Sequence, residues 1–138
     1  MGFDGTPISS FRVSMRDIDI YGHVHNSVYL DYCEDAVVDY IRHRALLPHF
    51  RHTTSGVAYH VKKAEIVFHS PIDVDDVVEA SVGIGSIGRT SLTFGIELRR
   101  QRDGAHCATA QLVWVCVDLS TNRPAPIPDA TREGLAEV

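Results

Sequence analysis

The stretch R-D-I-D-I-Y-G-H-V-H-N-S-V-Y-L-D-Y-C-E-D-A-V-V-D-Y, Arg16 to Tyr40, decides the fold. It opens at the end of a strand pattern, crosses a polar turn holding Asp17, Asp19, Gly22, His23, His25 and Asn26, and enters the one long helix pattern in the chain. Val28, Tyr29, Tyr32, Cys33, Ala36, Val37, Tyr40, Ile41 and Ala45 recur at helical spacing, forming an apolar stripe that must face a core. Asp31, Glu34, Asp35, Asp39 and Arg42 fall largely off that stripe. Asn26 or Ser27 is the expected N-cap, and the helix is expected to end near Leu46–Pro48. Its acids lie early and Arg42, His43 and Arg44 late, the arrangement that the helix dipole favours.

Outward from this stretch the pattern is that of strands. Ile8 to Arg16 alternates as a half-buried strand. After a polar, basic and mobile loop, His49–Gly56, a second strand spans Val57–Phe68, and its alternation slips near Lys62–Lys63, which predicts a β-bulge. Ser70-Pro71-Ile72-Asp73 is a turn, and Val77–Ile87 is a strand whose Gly83 and Gly85 imply bending or close backbone approach. Gly88-Arg89 marks a tight turn before a strand over Ser91–Arg99. Asp103-Gly104 predicts a type I′ hairpin with positive φ at both residues. The strand His106–Asp118 is apolar on both parities, as a central strand buried on both faces would be. Residues 119–138 form a Pro-containing tail with one helical turn at Thr131–Ala136. The class is therefore α+β, a single domain over 1–138 in which one helix covers one face of an antiparallel sheet. Uncovered strand edges then imply self-association.

The 138 residues carry a net charge of −5 and 44% apolar residues, enough for one ordinary core. That charge, with a pI near 5.8, argues against nucleic acid or an anionic membrane as partner, since both need a basic footprint. Cys33, Cys107 and Cys116 have neither CxxC nor finger spacing, so no disulfide framework or structural zinc is expected, and a reducing cytoplasm fits. No secretory leader or membrane-length apolar run is read, so a soluble, unprocessed protein is expected. Met1-Gly2 with Thr6 matches a myristoylation pattern only formally and is discounted.

The run Asp17-x-Asp19-x-x-Gly22-His23-Val24-x-Asn26-x-x-Tyr29-Leu30, followed by Glu34-x-Ala36, resembles the active-site signature of the hotdog-fold acyl-CoA thioesterases of the 4-hydroxybenzoyl-CoA thioesterase superfamily. Ala58–Asp76 and Gly85–Phe94 resemble that family's second strand and its third-to-fourth strand hairpin, and the likeness extends to about Asp118. The resemblance implies a five-stranded antiparallel sheet wrapped around one long helix, homodimers with a continuous sheet or homotetramers, an acyl-CoA substrate, and neither metal nor cofactor. The aspartate matching Asp19 serves the family as nucleophile or as general base for water, and the residues here leave both roles open.

Thioester hydrolysis needs an activated oxygen nucleophile, donors for the developing oxyanion and a clamp for the thiol-bearing group. Asp19 is the candidate for the first, while Asp17 reads as structural. Backbone N–H groups at His25, Asn26 and Ser27, at the positive end of the helix, are candidates for the second, with Gly22 permitting the turn that presents them. His23 matches the family's Gly-His-Val and is expected to shape the loop and contact the carboxylate. His25 departs from the family: many members carry Asn there, and others place a catalytic histidine where Asn26 stands. A His23-x-His25 metal site lacks a third ligand. Cys33 reads as a buried apolar residue, Ser55 and Ser86 lack a G-x-S-x-G elbow, and Glu34 and Glu65 read as surface charges. Arg89, beside Ser91, is the preferred phosphate clamp over Lys62, Lys63, Arg99, Arg100 and Arg102, and Tyr29, Tyr59 and Phe68 are expected to bound the acyl group. An acyl carrier protein thioester is a further candidate substrate. Two alternatives stay open: a hotdog hydratase or dehydratase, whose signature Asn-Pro is absent here, and a non-catalytic acyl-thioester-binding homolog.

Overall fold

The computed structural model describes residues 6–136; Met1 and Gly2, with their formal acylation pattern, lie outside the described residues. Strand β1, Ser9–Arg12, is shorter than its alternation suggests. It pairs with β3, Val77–Ile87, from Ser9 opposite Ala80 to Arg12 opposite Val77. Among the described residues no strand lies opposite beyond Val77, so the chain leaves the sheet through a 3₁₀ turn at Met15–Asp17, and Met15 is 81% exposed.

Helix α1, Val28–His43, carries the expected stripe, with Tyr29, Tyr32, Cys33, Ala36, Val37, Tyr40 and Ile41 all buried. It stops short of Leu46 because Ala45 turns left-handed at φ 59°. The Ala45 N–H then reaches Arg42 O and the Leu46 N–H reaches Ile41 O, both at 3.0 Å, which closes the last carbonyls in a Schellman motif. The segment expected as a mobile loop instead forms two short helices, α2 at Leu47–Phe50 and α3 at His52–Ser55. Their ends are held by the Thr54 and Ser55 hydroxyls, which donate to the Arg51 carbonyl.

β2, Val57–Phe68, breaks register between Val61 and Lys63, at the expected bulge. β4, Ser91–Arg100, and β5, His106–Asp118, complete a sheet ordered β1-β3-β4-β5-β2, antiparallel throughout, with β2 at one edge. The β4–β5 turn departs from type I′. Gly104 has φ +70° but Asp103 does not take positive φ, and its carboxylate instead accepts from the Ala105 N–H and from Arg100. β5 is central, yet its outer face is only partly covered: Val117 is buried, but Val113 and Val115 are half-buried and Gln111 is exposed. The tail belongs to the fold. β6, Arg123–Pro124, pairs with the end of β5 as a sixth strand, and α4 runs over Asp129–Ala136, longer than the single turn expected, with Ile127, Thr131 and Leu135 buried.

The architecture is thus the α+β hotdog arrangement, a curved antiparallel sheet around one long helix. Leu92, Phe94, Ile96 and Leu98 line the inner face and are essentially inaccessible. Burying each such side chain stabilises by about 1.5–3 kcal/mol. Tyr40 meets Phe94 edge-on at 6.3 Å, and Tyr29, in the first turn of the helix, meets Phe68 edge-on at 4.9 Å. The second contact sets the start of α1 against the far end of β2.

Candidate functional site

Asp19 sits in a turn closed mostly by its own atoms. Its Oδ1 accepts the Tyr21 N–H at 2.8 Å and the His23 N–H at 3.2 Å, while its backbone N–H donates to His23 O and its carbonyl accepts from Gly22. Gly22 makes this possible at φ +80°, a conformation costly for residues with a Cβ. This is an Asx-type turn, but it occupies one carboxylate oxygen and leaves Oδ2 with no protein donor among the described residues. Desolvation pushes the Asp19 carboxyl upward. The N–H groups of Tyr21 and His23, with the nearby imidazoles of His23 and His25, outweigh it and hold the group below the usual carboxylate range.

Neighbouring backbone fixes the loop. Val24 N–H donates to Ile72 O at 2.8 Å and Val74 N–H to Gly22 O at 3.0 Å, so the loop lies as a short strand against the β2–β3 connection. Asp17 braces it from below: its carbonyl accepts the His25 N–H at 2.9 Å and its Oδ2 accepts the Tyr32 hydroxyl at 2.9 Å. Burial, then the Asp17 carboxylate, push the Tyr32 phenol upward and keep it a donor.

The His25 N–H is thereby consumed. Val28 N–H and Tyr29 N–H turn back to the His25 and Asn26 carbonyls, leaving Asn26 and Ser27 as the N–H groups at the helix start with no acceptor among the described residues. Ser27 is the N-cap residue by position, and neither its side chain nor that of Asn26 makes a capping bond. The expected three donors reduce to two.

A cleft of about 270 Å³ is lined by Asp19, His23, Val24, Asn26, Tyr29, Phe68, His69, Ser70 and Pro71. His69 and Ser70 were not singled out from the sequence; the signal available was a polar pair directly before Pro71 at a strand end. His69 Nε2 lies 3.0 Å from Thr109 Oγ1. His25 is exposed and does not line the cleft. The His23 imidazole contacts Asp73 rather than the Asp19 carboxylate, with Nε2 to Oδ1 at 3.4 Å. Among the described residues no three His, Cys, Asp or Glu side chains gather as a metal-binding group. The Cys33 thiol is fully buried and pushed up to about 12 by that burial, which makes it inert as a nucleophile.

Tyr59, Arg89 and Ser91 group elsewhere. Tyr59 pairs with Cys116, whose N–H reaches Thr90 O; Gly88 N–H reaches Ser91 O; and Arg132 of α4 donates to the Gly88 and Arg89 carbonyls. Tyr59 packs on Phe50 at 4.7 Å instead of lining the cleft. Within one chain this group lies the length of β2 away from Phe68, about 30 Å at ~3.3 Å per residue.

Residues 13–135 match the family model described as the thioesterase-like superfamily. The chain is 28% identical to the acyl-CoA thioester hydrolase YbgC of Escherichia coli O157:H7, over 85% of this chain and 86% of that protein. Slr0204, a 1,4-dihydroxy-2-naphthoyl-CoA thioesterase from Synechocystis, superposes with TM-score 0.85 at 21% identity, covering 94% of this chain and 95% of that one, and bears on the fold. A thioesterase from Thermus thermophilus solved with coenzyme A and Zn superposes with TM-score 0.75 at 30% identity, covering 96% and 95%. A family match of this extent, on a fold and loop of this form, means that the chain belongs to the thioesterase-like superfamily.

Proposed function

We propose that the protein hydrolyses acyl-coenzyme A thioesters to free acid and thiol. The observation that carries this reading is the placement of an ionised carboxylate, Asp19, in one cleft with Asn26 at the start of α1. Asp19 Oδ2 attacks the thioester carbonyl directly or removes a proton from an attacking water. The Asn26 and Ser27 N–H groups, at the positive end of the helix dipole, receive the developing oxyanion. One such donor lowers the barrier by about 3 kcal/mol. Collapse of the tetrahedral adduct breaks the C–S bond. With water as attacker the acid forms directly, and the proton taken up by Asp19 passes to the leaving thiolate. Direct attack instead leaves an acyl–Asp19 anhydride, which a water then hydrolyses to the acid while the thiolate takes a proton from solvent. The similarity to YbgC and to a thioesterase that binds coenzyme A supports the substrate class.

The working unit in this reading is a homodimer or a homotetramer. β2 is an edge strand of 12 residues with Val61, Val67 and Phe68 exposed, a surface ready to pair with another strand. Two-fold antiparallel pairing of β2 with its copy would lay the Tyr59, Arg89 and Ser91 end of one chain beside the Asp19 cleft of the other. Arg89 would then meet a phosphate of coenzyme A, and Tyr29 would bound the acyl group. Three unpaired, buried cysteines are compatible with a cytoplasmic setting, and no described helix is long and apolar enough to cross a membrane.

The test is thiol release over a panel of aliphatic and aromatic acyl-CoAs with wild type and Asp19→Asn. Release by wild type, reduced on the order of 10²–10⁴-fold in the variant, is expected. Equal rates would remove Asp19 from the chemistry. A change in enoyl absorbance without thiol would make the protein a hydratase, and binding without turnover a carrier.

A further inference from the structure

His23 lines the cleft, yet its imidazole is held from the opposite side by a residue with no role assigned above. His23 Nε2 lies 3.4 Å from Asp73 Oδ1. That oxygen is buried and makes no hydrogen bond among the described residues, and the His23 imidazole lies within ion-pair distance of it. A buried carboxylate oxygen is expensive unless a donor faces it, and the Nε2 position is where such a donor must sit.

Asp73 is itself fixed. Its Oδ2 is 3.3 Å from Arg102 Nη2, on the β4–β5 turn. The Arg102 Nε donates at 2.7 Å to Oδ1 of Asp76, whose other oxygen accepts the Asp73 N–H at 2.9 Å. Asp76 is 6% exposed, so this end of the chain of contacts is anchored in the protein. At the other end, the His23 N–H donates to Asp19 Oδ1, and His23 and Asp73 also pair as a backbone bridge. Arg102, Asp73, His23 and Asp19 therefore form one connected line from a remote hairpin to the reactive carboxylate.

We propose that Asp73 is a positioning residue that selects the tautomer of His23. A neutral imidazole has one N–H and one lone pair, and the group bound at one nitrogen determines the state of the other. With a carboxylate oxygen facing Nε2, the proton resides there and Nδ1 becomes the acceptor of the ring. His23 then offers the cleft a fixed acceptor for a water or substrate proton, beside an Asp19 that its own backbone N–H holds ionised. Arg102, on the other oxygen, keeps Asp73 turned toward His23. The role of this acceptor in turnover rests on the thioesterase reading above; the tautomer itself does not.

The first measurement is a long-range ¹H–¹⁵N correlation spectrum of the imidazole rings in wild type, Asp73→Asn and Arg102→Gln, at a pH where His23 is neutral. The Nε2–H form is expected for His23 in wild type and a mixture in Asp73→Asn, whose amide can face the ring as donor or acceptor. An unchanged ring signature in Asp73→Asn overturns the proposal, whether or not any acyl-CoA is turned over. The second measurement is a double-mutant cycle on the best acyl-CoA. Asp73→Asn is expected to lower kcat on the order of 10- to 100-fold with KM held, the size of effect when a histidine loses its orienting partner, and to have no further effect in a His23→Gln background. Additive losses would mean that Asp73 acts on general structure and not through His23. No thiol release by wild type would defeat the thioesterase reading and leave the ring spectrum to decide the tautomer.

Discussion

The Tyr32 hydroxyl donates to Asp17 Oδ2 at 2.9 Å, tying the second turn of α1 to the residue two places before Asp19. Asp17 in turn holds the His25 N–H on its carbonyl, so one buried phenol sets the distance between helix start and the Asp19 loop. Tyr32→Phe removes a hydrogen bond to a charged group, and a loss of about 1.5–3 kcal/mol in denaturant unfolding is expected. Thiol release should fall through kcat, with KM held. A variant as stable and active as wild type would show that the loop is held by its backbone bonds alone.

Asp19 is held below the ordinary carboxylate range, so it stays ionised down to acidic pH. Its depressed value also means that any stability it contributes is present above the unfolded-state value and is lost as pH falls through the folded-state value. The acid limb of kcat/KM is therefore expected below about pH 3.9, the reference for a free aspartate. A profile measured by brief pH jumps, ahead of acid unfolding, checks this. A limb near pH 5–6 would mean that a different group, or a desolvated Asp19, controls the rate.

Arg89 stands at the turn that β2 pairing would bring to the neighbouring cleft. If it grips a phosphate, Arg89→Ala raises KM for acyl-CoA about tenfold while kcat holds, because the contact is the same in ground and transition states. The matching N-acetylcysteamine thioester has no phosphate and should be indifferent to the substitution. Equal effects on both substrates would assign Arg89 to the turn itself, where its carbonyl already accepts from Ile127 and Arg132.

Ala45 closes α1 at φ 59° where glycine would be unstrained. It is exposed, so the substitution Ala45→Gly removes little packing. Relief of the left-handed strain exceeds the added freedom of the unfolded chain, and a gain of about 0.5–1 kcal/mol is expected, or a rise of about 2–4 °C in Tm. A lower Tm would show that Ala45 already fits its conformation without strain.

Much of this molecule was legible from local chemistry. Helix α1 was readable because its apolar residues recur at helical spacing, and the bulge at Lys62 because alternation changes parity across it. Asp19, Gly22, His23, Asn26 and Tyr29 were readable as a group because they lie within a few residues of one loop and helix start, and they do line or shape one cleft. Where the reading slipped, a long-range partner decided. β1 stops where β3 begins, α1 stops at a left-handed alanine that no pattern marks, and the tail gains β6 and α4 by docking on the rest of the fold.

The sequence by itself determined the order of elements, the buried face of α1 and the Asp19 loop, since periodicity and turn chemistry act over a few neighbouring residues. Only the tertiary structure decided that His25 gives its N–H to Asp17, that His69 reaches the cleft and that Tyr59 and Arg89 stand at the other end of β2. It also set Asp73 against His23, across fifty residues of chain. Such pairings depend on how strands align in space, and no local spacing records them.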